Sequence, residues 1–295
     1  MLDHIFAIIG GDNRQGYLAN VLQSDGYKVI ACGLAQCPGL DPSMKQMDTK
    51  HAVGGADVIV LPLPVSTDNV TVQAPFSFEP IYLAEIYACV RSDTMILGGK
   101  LNEKLTAAAK SRGILICDYL DREELSILNA IPTAEGALEI AMRETKHTIF
   151  GSNCLVAGYG RIGKILSRIL RDLGAHVWVS ARKYPDLSMI QSEHLMGINM
   201  ASSTTAAEPL SSQIDKFDII FNTVPAMIFD KDVLMNAKPT VLMIDLASVP
   251  GVDFDVAQNM GIRLIQALSL PGKVAPITAA SMIKDTILNI LREAM

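Results

Sequence analysis

The stretch Val156-Ala157-Gly158-Tyr159-Gly160-Arg161-Ile162-Gly163 decides the fold. It ends the apolar run Cys154-Leu155-Val156-Ala157 and opens a helical pattern over 161–173 that closes at Gly174. A second apolar run, Val177-Trp178-Val179, follows. Strand, glycine turn, helix and strand in that order give the G-x-G-x-x-G spacing its meaning. Gly158 allows the tight turn, Gly160 lets backbone approach a pyrophosphate, and Gly163 lets the helix pack close to the strand. Tyr159, Arg161 and Ile162 complete the cofactor-binding turn, whose free N–H groups and positive dipole end favour phosphate. The plainer reading is a chance glycine cluster in an ordinary βαβ unit.

The end of the second strand selects the dinucleotide. NAD-binding chains usually carry an acid about 20 residues on, to hold the ribose hydroxyls. Here the strand ends Val179-Ser180-Ala181-Arg182-Lys183, with no acid. Ser180 can hydrogen-bond a phosphate oxygen, and the planar fork of Arg182 can grip a 2′-phosphate. With Ala181 and Lys183 completing the strand end, the cofactor reads as NADP(H). A solvated strand end is the bland alternative for Arg182 and Lys183.

The 295 residues suffice for two domains. A hydrophobic fraction of 49 % against 19 % charged residues suits buried parallel sheet. A net charge of -6 argues against nucleic acid, and no apolar stretch reaches membrane-spanning length. The amino-terminal run Ile5-Phe6-Ala7-Ile8-Ile9 reads as a first strand, not a secretion signal, so a cytoplasmic location is expected. Five cysteines without CxxC read as reduced packing thiols. The five histidines show no ligand spacing, and no metal is assigned.

The rest of the chain alternates strands with helices, which implies parallel sheets covered by helices. Strands are expected at 5–9, 27–31, 57–61, 94–97 and 114–117, then within 217–225 (a strand and its carboxyl-end turn), at 241–248 and at 263–267. Helices are expected at 15–24, 100–111 and 281–294. A linker helix over 132–146 would start with Thr133 as N-cap and Glu135 in its first turn. The expected fold class is α/β, with two doubly wound parallel-sheet domains, the second a Rossmann NADP-binding domain. Residues 1–131 form an amino-terminal, flavodoxin-like α/β domain, and 132–274 the linker helix and the NADP(H)-binding domain. The helix within 275–295 is expected to pack back on the first domain. The segments 33–53 and 201–209 read as the least structured.

Ligands of open α/β sheets bind at the carboxyl edge. Asn222-Thr223-Val224-Pro225 ends a strand there and is assigned to the cofactor; a proline-terminated turn is the plainer reading. Leu246, Ala247 and Ser248 end the next strand and are placed near the nicotinamide ribose or amide, while Asp245 could be buried and orient a loop. Leu270-Pro271-Gly272-Lys273-Val274-Ala275-Pro276-Ile277-Thr278 reads as a shaped loop opening the last helix, with Thr278 as cap. In the first domain, Arg14 can bind a carboxylate where Gly10-Gly11-Asp12-Asn13 joins strand to helix, or be an ordinary surface arginine. Thr133 and the helix N-terminus can receive a carboxylate, and Lys273 adds a charge at a helix start that favours an anion. Thr133, Glu135 and Lys273 are the candidate catalytic residues, Glu135 as base.

Together these segments resemble the dipicolinate synthase A subunits of spore-forming bacteria. The resemblance is carried by Ile9-Gly10-Gly11-Asp12-Asn13-Arg14-Gln15, Ile131-Pro132-Thr133-Ala134-Glu135-Gly136 and the glycine turn at 158–163. It is also carried by Asn222-Thr223-Val224-Pro225-Ala226-Met227-Ile228, Ile244-Asp245-Leu246-Ala247-Ser248 and Leu270-Pro271-Gly272-Lys273-Val274-Ala275-Pro276. It implies conversion of 4-hydroxy-tetrahydrodipicolinate to dipicolinate, pairing with a flavoprotein-like B subunit, and work in the cytoplasm of a sporulating mother cell. The two carboxylates of that substrate need donors, for which Arg14, Thr133, Ser248 and Lys273 are the candidates, with the substrate expected between the domains. A homo-oligomer is expected as well. Two other readings stay open. Another two-domain NADP(H) dehydrogenase is one, since Pro271-Gly272-Lys273-Val274-Ala275-Pro276-Ile277-Thr278 is similar to a segment of methylenetetrahydrofolate dehydrogenases. D-2-hydroxy-acid dehydrogenases fit less well, because 263–273 carries no histidine. A nucleotide-binding scaffold subunit is the other.

Overall fold

The computed structural model describes residues 4–200 and 209–294. It divides into two compact units, one of residues 1–129 and 275–295, the other of residues 130–274. In chain order the first elements are β1 (Ile5–Ile9), α1 (Asn13–Ser24), β2 (Lys28–Cys32), α2 (Thr49–Gly54), β3 (Val58–Val60) and α3 (Leu83–Cys89). β4 (Met95–Gly98), α4 (Glu103–Lys110), β5 (Leu115–Asp118) and α5 (Glu123–Glu144) follow. The second unit continues with β6 (Asn153–Ala157), α6 (Arg161–Asp172), β7 (His176–Ala181), α7 (Tyr184–Ser192), β8 (Met196–Asn199) and β9 (Ile219–Asn222). It ends with α8 (Lys231–Leu234), β10 (Leu242–Asp245), α9 (Phe254–Asn259), β11 (Arg263–Gln266) and α10 (Leu270–Val274). The last helix, α11 (Pro276–Ala294), returns to the first unit. The fold class is α/β, with two doubly wound parallel sheets.

The first unit has a five-stranded sheet in the order β2-β1-β3-β4-β5, parallel throughout. Strand periodicity of two sends alternate side chains to opposite faces. Phe6 and Ile8 therefore join a core with Leu18, Leu22 and, from α11, Ile283 and Ile287. Ala7 and Ile9 join the opposite core, with Ala52, Ile59, Leu61 and Ile86. Both faces being covered explains why β1 and β3 are almost wholly apolar. α11 packs on α1, and Lys284 and Arg122 tie it down through Asp25 and Glu293.

The second unit has six parallel strands in the order β11-β10-β9-β6-β7-β8. Val156, Leu166, Leu170, Phe221 and Ile244 fill one face together with Ala137 and Ile140 of α5. Leu155, Ala157, Phe217, Ile220 and Phe229 fill the other. The five cysteines are free thiols, and burial pushes that of Cys154 up to about 12. Among the described residues no helix is long and apolar enough to cross a membrane.

Several sequence expectations need correction. The linker helix does not begin at Thr133: α5 runs unbroken through Pro132, so Thr133 and Glu135 sit in mid-helix. The formers in Glu123-Glu124-Leu125-Ser126-Ile127-Leu128 carry the helix past the lost N–H of the proline. The segment 33–53 is not structureless, because Asp48 accepts from His51 N–H at 2.9 Å and caps α2. The loop expected before the last helix is instead helical: 270–274 is α10, and α11 starts at Pro276, a favoured first helical residue. Thr278 is thus inside α11 and caps nothing. The segment 201–208 lies outside the described residues.

Ile287 is fully buried between α11 and the first sheet. Ile287→Ala is expected to destabilise the first unit by about 2–5 kcal/mol, measured by urea denaturation; an unchanged midpoint would contradict this packing of the last helix.

Candidate functional site

In the second sheet strand order reverses at β6, whose neighbours are β9 and β7. Crevices at such switch points, outside the carboxyl ends of the strands, are the usual ligand sites of open α/β sheets. A cavity of about 650 Å³ lies there. Gly158, Tyr159 and Gly160 line it from the β6 turn, and Ser180, Ala181, Arg182 and Lys183 from the end of β7. Thr223, Val224, Pro225 and Ala226 line it from the end of β9, with Asp186, Met200 and Ile228 completing the wall.

The three glycines meet three different demands. Gly158 has φ +96°, and a Cβ there would stand 2.6 Å from Thr223 Oγ1 and 2.8 Å from Val224 Cγ2. Gly163 lies so close to the turn that a Cβ would meet Gly158 O at 2.1 Å. Gly160 faces open space, with nothing within 4 Å of its Cβ position. A cradle of this shape, at the N-terminus of the 12-residue α6, fits a pyrophosphate. Gly158 N–H donates to Ser180 O at 3.1 Å and faces Ser180 Oγ at 3.3 Å. Thr223 N–H and Oγ1–H both donate to Ala157 O, at 3.0 and 2.8 Å. The ends of β6, β7 and β9 are thereby tied at one turn.

Charge is distributed unevenly around this cavity. Arg182 and Lys183 are exposed at the mouth, and Asp186 in the first turn of α7 lines the same wall. The ring of buried Tyr159 has Lys164 Nζ at 5.3 Å from its centroid. Burial, and then the carboxylate of Glu193, push the Tyr159 phenol above its ordinary value. Glu193 itself is held below the usual carboxylate range by hydrogen bonds from Arg168.

Beneath the cavity Asp245 is wholly buried, and its partners among the described residues are neutral donors. Its Oδ1 accepts from Asn222 Nδ2 at 2.8 Å and Ala247 N at 3.1 Å, and its Oδ2 accepts from Gly251 N at 2.9 Å. Asn222 also donates to Val224 O and accepts from Val224 N, both at 3.1 Å. This network holds the turn that carries Thr223, Val224 and Pro225.

Seven residues assigned to the cofactor by sequence do not line the cavity. Arg161, Ile162 and Gly163 form the first turn of α6, and Asn222 is buried under the wall. Leu246 and Ala247 are buried with their N–H groups spent on Asn222 O and Asp245, while Ser248 is exposed beyond them. Lys273 is exposed on α10 and Glu135 on α5. Arg14 is no surface arginine and has few donors to spare: it is 4 % exposed and forks onto Asp12. Asp186, Met200, Ala226 and Ile228 were not anticipated. Pro185 opening a helix pointed to Asp186, whereas no apolar run announced β8, which leads to Met200.

A family model for the N-terminal domain of the dipicolinate synthase A subunit matches residues 5–120. The dipicolinate synthase A subunit of Bacillus subtilis (strain 168) is 32 % identical over 293 residues, covering 97 % of this chain and 95 % of that one. The crystal structure of the dipicolinate synthase A subunit from Bacillus halodurans superposes with TM-score 0.89 at 30 % identity, covering 99 % of each chain. A transhydrogenase from Sinorhizobium meliloti shares the fold, with TM-score 0.67 at 15 % identity over 97 % of this chain and 92 % of that one.

Both oxygens of Asp245 face only N–H donors, so either orientation of an amide there would set donor against donor. Asp245→Asn is expected to cost about 1–3 kcal/mol of stability by loosening the β9 turn that lines the cavity. Urea denaturation checks this; a variant with the wild-type midpoint would show that the network is dispensable.

Proposed function

The chain belongs to the family of dipicolinate synthase A subunits, and we propose that it is an NADP-dependent oxidoreductase that converts 4-hydroxy-tetrahydrodipicolinate to dipicolinate. The observation that carries this reading is the glycine cradle opening on a cavity whose mouth holds Arg182 and Lys183. The N–H groups at the start of α6 receive the pyrophosphate, and Ser180 and Arg182 receive the 2′-phosphate. When bound, the nicotinamide supplies a hydride acceptor. The substrate loses water, one hydride and one proton, and becomes an aromatic ring. Aromatisation favours hydride loss, so the protein's chief task is to hold the reacting carbon at roughly 3–3.5 Å from the ring.

Ser248 and Lys273, both exposed, are the proposed carboxylate donors of the second unit. Thr133 and Glu135 lie far inside α5, which removes a helix terminus from their proposed roles. A flavoprotein-like B subunit is the proposed partner; that the relatives are lettered as one of a set of subunits supports a second one. In this reading the chain acts as a homo-oligomer in the cytoplasm of a sporulating mother cell.

A second cofactor reading rests on Asp186, whose place in the cavity wall suits a carboxylate accepting from ribose hydroxyls, as NAD would require. Arg182→Ala is expected to weaken NADPH by about 1.5–3 kcal/mol, the scale of a hydrogen bond to a charged group, and NADH little. Asp186→Asn should leave NADPH affinity unchanged or improve it. Equal losses for both nucleotides in Arg182→Ala, or loss of NADH alone in Asp186→Asn with NADH the tighter ligand, would favour NAD.

The activity is tested by generating the cyclic substrate in place with dihydrodipicolinate synthase and adding the chain with NADP, with and without a B subunit. Dipicolinate and NADPH in equal amounts from the chain alone are expected. Turnover only with the B subunit would assign a composite site or a scaffold role. Bound NADP without turnover in either case would point to another substrate.

A further inference from the structure

The first sheet also reverses its order, at β1 between β2 and β3. The turn Gly10-Gly11-Asp12 leaves β1 there with φ +64° and +97° at its glycines. Across the switch, Arg14 Nη2 donates to Leu63 O at 2.6 Å in the chain following β3. The same guanidinium donates from Nε and Nη2 to Asp12 at 2.9 and 2.8 Å. Arg14 thus ties the two sides of the switch point together, with its charge offset by Asp12.

The next residue, Gln15, is fully buried, and neither Nε2 nor Oε1 finds a hydrogen-bond partner among the described residues. Helical side chains lean toward the helix N-terminus, and this one folds over the turn: a Cβ on Gly11 would stand 2.5 Å from Oε1 and 2.6 Å from Cδ. The amide therefore lies at the carboxyl edge of the sheet, beside the N-terminus of the 12-residue α1. Burying an amide without partners is unfavourable, and an apolar side chain of the same length would avoid that cost. Packing gives no reason for glutamine here; a ligand that uses the amide does.

Resting on the substrate proposed above, we infer that Gln15 is a substrate-binding residue: Nε2–H donates to a carboxylate oxygen of a small ring dicarboxylate held at the β1/β3 switch point of the first unit. A neutral donor suits this place. The Asp12 carboxylate offsets Arg14, and the dipole of α1 adds a positive end without a second cation. Oε1 is left to accept from a ligand hydroxyl, so a hydroxylated ring dicarboxylate pairs both amide atoms.

The probe is dipicolinate, the compound for which the family is named, titrated calorimetrically into the full chain and into Gln15→Met and Gln15→Glu. NADPH titration and thermal melting are recorded for each. Both variants are expected to lose at least about tenfold in dipicolinate affinity, the scale of one charge-assisted hydrogen bond. NADPH affinity should be unchanged, and Gln15→Met should melt no lower than wild type. If the wild type binds dipicolinate and a folded variant binds it equally well, Gln15 is no ligand contact. A parallel fall in NADPH affinity and melting temperature would make the residue structural and overturn the inference. Failure of the wild type to bind dipicolinate would instead remove the substrate reading, and the inference with it.

Discussion

A Cβ on Gly163 would stand 2.1 Å from the carbonyl oxygen of Gly158, and the cavity at the end of β6 depends on that missing atom. Because helix backbone can press against the turn, α6 begins at Arg161, straight after the glycine turn that leaves β6 at Ala157. Because the turn is tight, Gly158 needs positive φ and lies against Thr223 and Val224, where any side chain would collide with both. Its N–H reaches the end of β7, and the hydroxyl of Thr223 reaches back to β6. One close approach thus sets the positions of three strand ends, and the space beside Gly160 is what they enclose.

The same edge shows how a parallel sheet tolerates a buried carboxylate. Desolvating a lone ionised group is prohibitive, yet Asp245 is wholly buried. Three N–H donors converge on its two oxygens, two from backbone and one from Asn222. Those donors belong to turns that would otherwise hold unpaired polar groups at a strand end. Carboxylate and turns therefore satisfy one another, and removing either side leaves the other exposed to the full desolvation penalty.

The alternation of strands and helices, the glycine turn and the cationic end of β7 were all legible in the sequence, because each is a local pattern of apolar runs and punctuation. Strand order was not, since it is decided by pairing across 60 or so residues, as between β6 and β9. The short helices α2, α8 and α9 escaped reading although Asp48, Asp230 and Asp253 cap them; an aspartate in a polar stretch is a weak signal until the following turn is seen to close. Pro132 misled in the opposite direction, because a proline inside a run of strong helix formers looks like a boundary. At the site, Leu246 and Ala247 end their strand at the carboxyl edge, as their position after β10 implies, but they do not line the cavity. Their N–H groups are committed to Asn222 and Asp245, a partnership that spacing alone does not reveal.

Two buried amides mark the carboxyl edges of the two sheets, and they differ in what occupies them. Asn222, 1 % exposed, uses donor and acceptor alike on Val224 and Asp245. Its identity is explained by the turn it builds. Gln15, 0 % exposed, uses neither within the described residues. The task that Asn222 performs in the second unit is performed in the first by Arg14, which bridges the strand ends through Leu63 and Asp12. Gln15 is therefore free of the structural duty that its neighbour carries. A polar group retained at the switch point of a parallel sheet, after the backbone there has been satisfied by other residues, has its reason outside the fold.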